Sequence, residues 1–212
     1  MWFEKRSVRP KWAPAITHLS KIDPRLGAVI RRVGPCTLAP RRDYFVVLCK
    51  AIFTQQISTA VATVLFGRFR ELFPRRRPTP AAVLEVLKGE KPEVLRHCGL
   101  SRQKAAYLQD LAQHFLDNRI PTRRLASMDD EAVIEALVNV KGIGRWTAEM
   151  FLIFVLNRPD VFPVDDLGLA EGVRDVCGLD ERPGKKALLA IGEKWRPWRT
   201  VATWYLWRRD AV

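Results

Sequence analysis

The sequence is short of the residues that build metal centres and disulfide frameworks. Its 212 residues include four cysteines and three histidines, and neither type is clustered. The cysteines are Cys36, Cys49, Cys98 and Cys177, without a Cys-x-x-Cys pair. Because zinc and iron–sulfur sites need clustered ligands, the sequence predicts no catalytic metal and no cofactor. Scattered thiols in a chain of this size are also typical of a reducing compartment.

Long hydrophobic runs are missing as well. The longest uncharged stretch, residues 51–67, contains several threonine, glutamine and serine side chains and is too polar to span a membrane. The first twelve residues, MWFEKRSVRPKW, contain no apolar core of a signal peptide. We therefore expect a cytoplasmic protein without membrane association, located with the nucleoid if the source is bacterial.

The alternation of polar and apolar residues that marks a β-strand is also absent, and the periodicity is helical nearly throughout. Ser58, Thr79, Ser101 and Ser127 each precede a helical pattern and are predicted N-caps. In the helix after Ser127, the residues predicted to line one side are Val133, Ile134, Leu137 and Val138. The run Arg145–Leu156 is apolar almost all round and predicts a central buried helix. The predicted fold class is all-α.

Positive charge, in contrast, is abundant. Thirty-six Lys and Arg residues outnumber 23 Asp and Glu residues, which gives a formal net charge of +13. An excess of this size, spread along the chain, favours a polyanionic partner, most simply nucleic acid.

The stretch LVNVKGIGRWTA, residues 137–148, predicts a helix, a tight turn and a second helix. Gly142 and Gly144 flank one apolar residue, Ile143, which is predicted to point inward and lock the turn. The free N–H groups at the start of the second helix can hold a phosphate, and Lys141 and Arg145 add positive charge on either side. This hairpin predicts a sequence-independent clamp on a nucleic-acid backbone, although an ordinary glycine-containing helix connection has the same pattern.

Two adjacent carboxylates, Asp165 and Asp166, follow the proline-stiffened loop NRPDVFPV. Helix N-capping alone explains one of them, and we assign that role to Asp165. A second, fixed negative charge suits chemistry in which positive charge develops on a sugar, as in glycosidic bond cleavage.

These residues carry a family resemblance. VKGIGRWTAEMFLIFVLNRPDVFPVDDLG, residues 140–168, resembles the helix–hairpin–helix DNA glycosylases that carry a Gly/Pro-rich loop and a following Asp, the HhH-GPD superfamily. Within them it is similar to the AlkA-type DNA-3-methyladenine glycosylase II family. AIFTQQIS, residues 51–58, and KWRPWRTVATWYLW, residues 194–207, resemble two further family segments in the same order.

The resemblance implies a fold of two helical lobes with the active-site cleft between them. We expect residues 41–157 to form the central lobe, which ends in the hairpin, and residues 1–40 plus 158–212 to form the second lobe, which carries the catalytic Asp. AlkA itself has an additional N-terminal domain, so its substrate range is not carried over.

The resemblance also implies roles for individual residues. Asp166 is the catalytic carboxylate, supported by Asp165 and by Arg199, which is expected to contact the aspartate loop. The predicted DNA-binding residues are Gln56, Ser101, Lys104, Lys141, Gly142, Ile143, Gly144 and Arg145. Gln56 is the residue that wedges into the base stack when a nucleotide flips out. Carbonyl oxygens near Gly142 and Gly144 are candidate ligands of a monovalent cation.

Trp146 and Trp207 match pocket aromatics of the family, although core packing would also explain two tryptophans. Aromatic faces suit a base made cationic by alkylation. Bifunctional relatives carry a lysine at the position of Trp146, which forms a Schiff base with the sugar. Tryptophan cannot do so, and the resemblance therefore implies a monofunctional enzyme that leaves an abasic site.

The leading hypothesis is a base-excision-repair hydrolase, DNA-3-methyladenine glycosylase II, that acts on 3-methyladenine and 7-methylguanine in double-stranded DNA as a monomer. The alternative is a non-catalytic helix–hairpin–helix protein that binds DNA and senses lesions. An endonuclease III-like lyase is disfavoured by Trp146 and by the absence of clustered cysteines.

Overall fold

The computed structural model describes residues 10–210, without the side chains of residues 10 and 90. Within that range the chain forms twelve α-helices and no strand, which confirms the all-α prediction. The helices are α1 Ala13–Ile22, α2 Pro24–Val33, α3 Tyr44–Thr54, α4 Thr59–Glu71, α5 Pro80–Leu87, α6 Pro92–Cys98, α7 Arg102–Leu116, α8 Asp130–Val138, α9 Arg145–Phe151, α10 Leu167–Cys177, α11 Lys185–Gly192 and α12 Arg199–Leu206. No helix of the described range is long and apolar enough to cross a membrane.

The helices form two compact units. One comprises residues 41–151, and the other comprises the described residues of 2–40 and 152–212. The boundary therefore lies at the end of α9, six residues before the predicted position after residue 157.

An aromatic cluster forms part of the core of the 41–151 unit. The Phe53 ring lies 5.1 Å from that of Phe69, which lies 4.9 Å from that of Phe73, and all three side chains are buried. Helix α3, which is apolar on nearly every side, packs against α4 and α7, and α7 also packs against α5. Burial of aromatic side chains on this scale is a major source of stability for a unit of this size.

The second unit is built on α1, α2, α10 and α12, and its core contains large aromatic side chains. Trp12 and Trp195 are almost completely buried. From the sequence, Trp195, Trp198 and Trp204 are all predicted to be core residues. Trp195 and Trp204 are buried, whereas Trp198 is partly exposed. The Trp195 indole donates to Asp23, which is buried at the N-terminus of α2.

Three of the four predicted N-caps are present, and the fourth is wrong. The hydroxyls of Ser58, Thr79 and Ser101 accept hydrogen bonds from Val61 N, Ala82 N and Lys104 N. The Ser127 hydroxyl instead donates to Arg124 O, and α8 begins after Asp129. The sequence offers more than one capping residue here, Ser127, Asp129 and Asp130, and the helix starts two residues later than predicted. Of the four residues predicted to line one side of α8, Val133, Ile134 and Leu137 are buried, whereas Val138 is 40% exposed.

The predicted central helix changes type partway along. It starts as α9 and continues as a π-helical segment, Leu152–Leu156, in which four of the five residues are buried. Asn157 follows with a left-handed φ of +60°, and Arg158 N donates to Leu152 O at 3.0 Å. Such π segments widen the helix by one residue per turn and often occur near functional sites.

Candidate functional site

The predicted hairpin turn joins α8 to α9. Ile143 N donates to Val140 O at 3.0 Å, and the Ile143 side chain is buried, as predicted. Gly142 has a φ of +82°, and a Cβ there would lie 2.2 Å from Cδ2 of Tyr107. Glycine is therefore required at 142 both by backbone conformation and by close packing. At Gly144 a Cβ would meet no atom within 4 Å, so that backbone faces open space.

The two basic residues beside the turn differ in their contacts. Lys141 is exposed, and its main-chain N–H donates to Asp110 Oδ2 at 2.8 Å. The Arg145 guanidinium bonds to Glu131, with Nη1 3.0 Å from Oε2, and more weakly to Glu149. A phosphate at Arg145 would therefore have to share this guanidinium with Glu131. The roles of both residues in DNA binding stay predictions.

Gln56 occupies an exposed loop between α3 and α4. Its φ is +59°, which is uncommon for a residue other than glycine and is found where surrounding structure fixes the backbone. Ser58 starts α4 two residues later, so the loop is only four residues long. A short, fixed and exposed loop suits the predicted wedge residue.

Ser101 and Lys104, predicted to bind phosphate, both make bonds within the protein. Ser101 caps α7. The Lys104 ammonium donates to Phe53 O at 3.0 Å and to Gln55 O at 2.8 Å, at the C-terminal end of α3. Partial burial lowers the pKa of Lys104. Contacts of these two residues with phosphate stay predictions, but the ammonium has a structural use that the sequence did not reveal.

The two aspartates have distinct positions in the second unit. The N-cap of α10 is Asp166, whose Oδ1 accepts from Leu169 N at 2.6 Å. The assignment of the cap to Asp165 was therefore wrong. Asp165 is exposed and forms an ion pair with Lys185. The cap falls on the second aspartate because Asp166 N donates to Pro163 O and closes a turn before the helix starts.

Trp207 holds the same carboxylate. Its indole Nε1 donates to Asp166 Oδ1 at 2.8 Å, and its ring stacks on Phe154 with centroids 5.6 Å apart. A Cβ at Gly168 would lie 3.2 Å from both Asp166 Oδ1 and Trp207 Cδ1, so glycine gives the indole room to approach. A backbone donor and a side-chain donor thus hold the Asp166 carboxylate, and the residue is partly exposed.

Arg199 contacts the aspartate loop at Asp160. Its Nε lies 2.7 Å from Asp160 Oδ1, and Nη2 lies 2.9 Å from Oδ2, in a bidentate pair. Nearby, Thr200 Oγ1 accepts from Val161 N at 2.9 Å. Two consecutive residues of α12 thereby anchor the loop that leads to Asp166.

Trp146 lies in the first turn of α9 and is 44% exposed. An exposed indole face can stack on a base, as predicted for a pocket aromatic. Its role stays a prediction.

The sequence predicted no catalytic metal but allowed a cation at the hairpin. Within residues 10–210 no group of three or more His, Cys, Asp and Glu side chains is arranged to hold a metal ion. Gly142 O accepts from Gln55 Nε2 at 2.7 Å, and Gly144 O accepts from Ala148 N at 3.1 Å. A monovalent cation at these carbonyls would have to share them with existing donors, and its binding stays a prediction.

Comparison with known proteins places this geometry in a family. The model of HhH-GPD superfamily base excision DNA repair proteins matches residues 49–197. DNA-3-methyladenine glycosylase 1 of Schizosaccharomyces pombe is 35% identical over 214 residues, which cover 99% of this chain and 92% of the relative.

Solved structures agree. The 3-methyladenine DNA glycosylase Mag1 of the same yeast, in complex with abasic DNA, matches with a TM-score of 0.80 and covers 94% of this chain and 97% of that one. A DNA-3-methyladenine glycosidase from Bacillus halodurans is 34% identical, with a TM-score of 0.81 and coverage of 94% and 90%. The resemblance inferred from the three sequence motifs is confirmed, and the chain belongs to the HhH-GPD superfamily of base excision DNA repair proteins.

Proposed function

We propose that this protein is a DNA glycosylase that flips an alkylated purine out of duplex DNA and hydrolyses its N-glycosidic bond. The observation that carries the proposal is the partly exposed Asp166 carboxylate, which Leu169 N and Trp207 Nε1 hold at the start of α10. The relatives named above act on 3-methyladenine, and we extend the substrate to 7-methylguanine because both bases are cationic before release.

Alkylation weakens the bond that is to be broken. The positively charged purine leaves with the electron pair of the C1′–N bond and becomes neutral, while positive charge develops on the sugar. A carboxylate held in place before the reaction stabilises that charge without reorganising. Water then supplies the oxygen that bonds to C1′ and releases a proton, and Asp166 orients this water.

The product is an abasic site with an intact strand. Strand cleavage by a lyase needs an amine that forms a Schiff base with the sugar. Trp146 occupies the position at which the bifunctional relatives carry that lysine, and an indole cannot act as this nucleophile. We therefore propose a monofunctional enzyme.

DNA binding follows from the hairpin and the net charge. The turn offers main-chain groups at Gly142 and Gly144, flanked by Lys141 and Arg145, and such contacts read the DNA backbone rather than the base sequence. Gln56 would fill the gap that the flipped base leaves. We further propose that the protein acts as a monomer in the cytoplasm.

Substitution of Asp166 by Asn tests this function. Asn is as good an N-cap as Asp, so Asp166→Asn keeps the start of α10 and removes only the negative charge. We expect release of free base from methylated DNA to fall more than about 100-fold. Affinity for the same DNA should stay within about threefold, because the residues proposed to bind the DNA backbone are left unchanged.

Base release is measured by chromatography of the soluble fraction, and binding by fluorescence anisotropy. Undiminished release by the variant would refute the assignment of Asp166. Tight binding by the wild type with no base released at all would favour the non-catalytic DNA-binding protein instead.

A further inference from the structure

One stripe of α7 contacts both loops that are proposed to touch DNA in the 41–151 unit. Lys104, Tyr107 and Asp110 are spaced by three residues, so their side chains lie along the same side of the helix. Lys104 contacts the loop that carries Gln56, whereas Tyr107 and Asp110 contact the hairpin turn.

The Lys104 contact fixes the end of α3. Its ammonium donates to Phe53 O and Gln55 O, at the negative end of the helix dipole, where a cation is favoured. The second of these carbonyls belongs to the residue directly before Gln56. Since Gln56 has a left-handed φ of +59°, its conformation depends on such outside support.

The hairpin contacts fix the turn in the same way. The Tyr107 ring packs directly beneath Gly142, and Gln103 Nε2 bonds to the Tyr107 hydroxyl at 2.7 Å. Asp110 Oδ2 accepts from Lys141 N at 2.8 Å. Both contacts are made to the backbone of the turn and restrict its position.

Gln55 joins the two loops directly. Its carbonyl accepts from Lys104, and its side-chain amide donates to Gly142 O at 2.7 Å, so this residue is held at both ends. The loop of Gln56 and the turn of Gly142 are thereby tied together by one residue as well as through α7.

We propose that Lys104 and Gln55 are positioning residues that hold Gln56 at a fixed position relative to the hairpin turn. Binding of the DNA backbone by the turn and insertion of Gln56 into the base stack then occur as one step. This inference rests on the function proposed above. Two contacts on one duplex must match the spacing of the DNA, and a loop that is rigid before binding does not lose conformational entropy on binding. Both side chains bond to main-chain carbonyls of this unit, and in this proposal they act through Gln56.

The test uses Lys104→Met and Gln55→Met, which remove the donors but keep most of the side-chain volume. Lys88→Met is the matched control, because Lys88 is an exposed lysine of the same unit and its loss changes the net charge equally. Flipping is followed by the fluorescence of 2-aminopurine next to 7-methylguanine, with Asp166→Asn also present so that the lesion persists. The rate of base release is followed separately under single-turnover conditions.

We expect each test variant to lower both the fluorescence rise and the single-turnover rate about tenfold, which corresponds to one charge-assisted or buried hydrogen bond. For Gln55→Met the affinity for abasic DNA should change less than about threefold, because no base has to be unstacked there. The affinity of Lys104→Met for abasic DNA is compared with that of Lys88→Met, which loses the same charge. A purely structural role would instead lower the midpoint of thermal unfolding and weaken binding to both DNAs equally, and that result would overturn the inference.

The double variant sharpens the result. Because both residues fix the same relative position of Gln56 and the turn, the double variant should lower the single-turnover rate about as much as the more damaging single variant does. Independent roles would instead multiply the two decreases. If Lys104→Met does not fold, Gln55→Met carries the test alone, since Gln55 is only partly buried and its substitution leaves the main-chain oxygen that Lys104 contacts. A wild type that neither flips nor releases base would refute the proposed function, whereas an active wild type whose test variants match Lys88→Met would refute only this inference.

Discussion

Two aspartates of the second unit have nearly the same local surroundings and different exposure. Asp23 caps α2 by accepting from Leu26 N at 3.2 Å, and it accepts from the indole of Trp195 at 2.9 Å. Asp166 caps α10 by accepting from Leu169 N, and it accepts from the indole of Trp207. Asp23 also bonds to Lys194. The two residues differ in burial, since Asp23 is 4% exposed whereas Asp166 is partly exposed.

This pair shows that a capping aspartate held by a tryptophan is not in itself a catalytic arrangement. The same two donors stabilise the fold where the carboxylate is buried beside an ammonium, and they preorganise a charge where it is accessible. Accessibility therefore decides whether the fixed charge can act on a ligand.

After Asp166→Asn, the substitution with the largest expected effect is Trp207→Phe in the otherwise unchanged protein. Phenylalanine keeps a flat ring against Phe154 but cannot donate to Asp166 Oδ1. Loss of one hydrogen bond to a charged group should slow single-turnover base release by about 10- to 100-fold. The matched control is Trp195→Phe, which removes the equivalent donor to Asp23.

The control should lower the free energy of unfolding and leave the rate of base release by the folded protein unchanged. Equal rates for Trp207→Phe and the wild type would show that the indole N–H does not matter for catalysis.

Asp23→Asn gives the reciprocal result, a loss of stability without a loss of activity. Asparagine still caps α2 but does not attract Lys194, so we expect a loss of about 1–2 kcal/mol at pH 7, reduced because Lys194 is half exposed. Chemical denaturation of the two proteins measures this difference. A drop in single-turnover base release larger than the loss of folded protein would contradict the comparison.

The difference in the free energy of unfolding between the wild type and Asp23→Asn should depend on pH. Burial by itself would raise the pKa of Asp23, but hydrogen bonds from Lys194, Trp195 and Leu26 N outweigh it and the pKa lies below its usual 3.8. The stabilisation is therefore fully present above pH 3.8 and is lost as the pH falls through the lower pKa of the folded state. The advantage of the wild type over Asp23→Asn should shrink in that acidic range.

Gly168→Ala should have the smallest effect. Its new methyl group would lie 3.2 Å from Asp166 Oδ1 and Trp207 Cδ1, so the pair must shift by a few tenths of an ångström. We expect base release to slow about threefold while the helix itself gains slightly from the better helix former. Unchanged base release together with an unchanged thermal midpoint would show that the pair adjusts freely.

The sequence predicted the elements better than the partners of individual side chains. Periodicity and capping residues were sufficient for the all-α class and for the caps at Ser58, Thr79 and Ser101, because these depend on neighbours within a few positions. They did not give bounds for α1, α2 and α6. The hairpin was also predictable, since glycines 142 and 144 and the buried Ile143 mark it locally. The cap of α10 could not be assigned between two adjacent aspartates, because the turn closed by Pro163 O decides it.

Long-range partners were the main omission. The ammonium of Lys104 bonds to carbonyls about 50 positions earlier, and the amide of Gln55 bonds to a carbonyl 87 positions later. Backbone carbonyls leave no signature in a sequence, because every residue has one. The positioning network around Gln56 therefore required coordinates.

Gly144 and Gly142 differ in whether the fold itself requires glycine. At Gly144 a Cβ would meet no atom of the described residues within 4 Å, and the backbone is not left-handed, so neither packing nor backbone conformation requires glycine at that position. A loss of DNA binding on Gly144→Ala would therefore point to a close approach of the DNA to this backbone. The same substitution at Gly142 could not show this, because it would also clash with Tyr107.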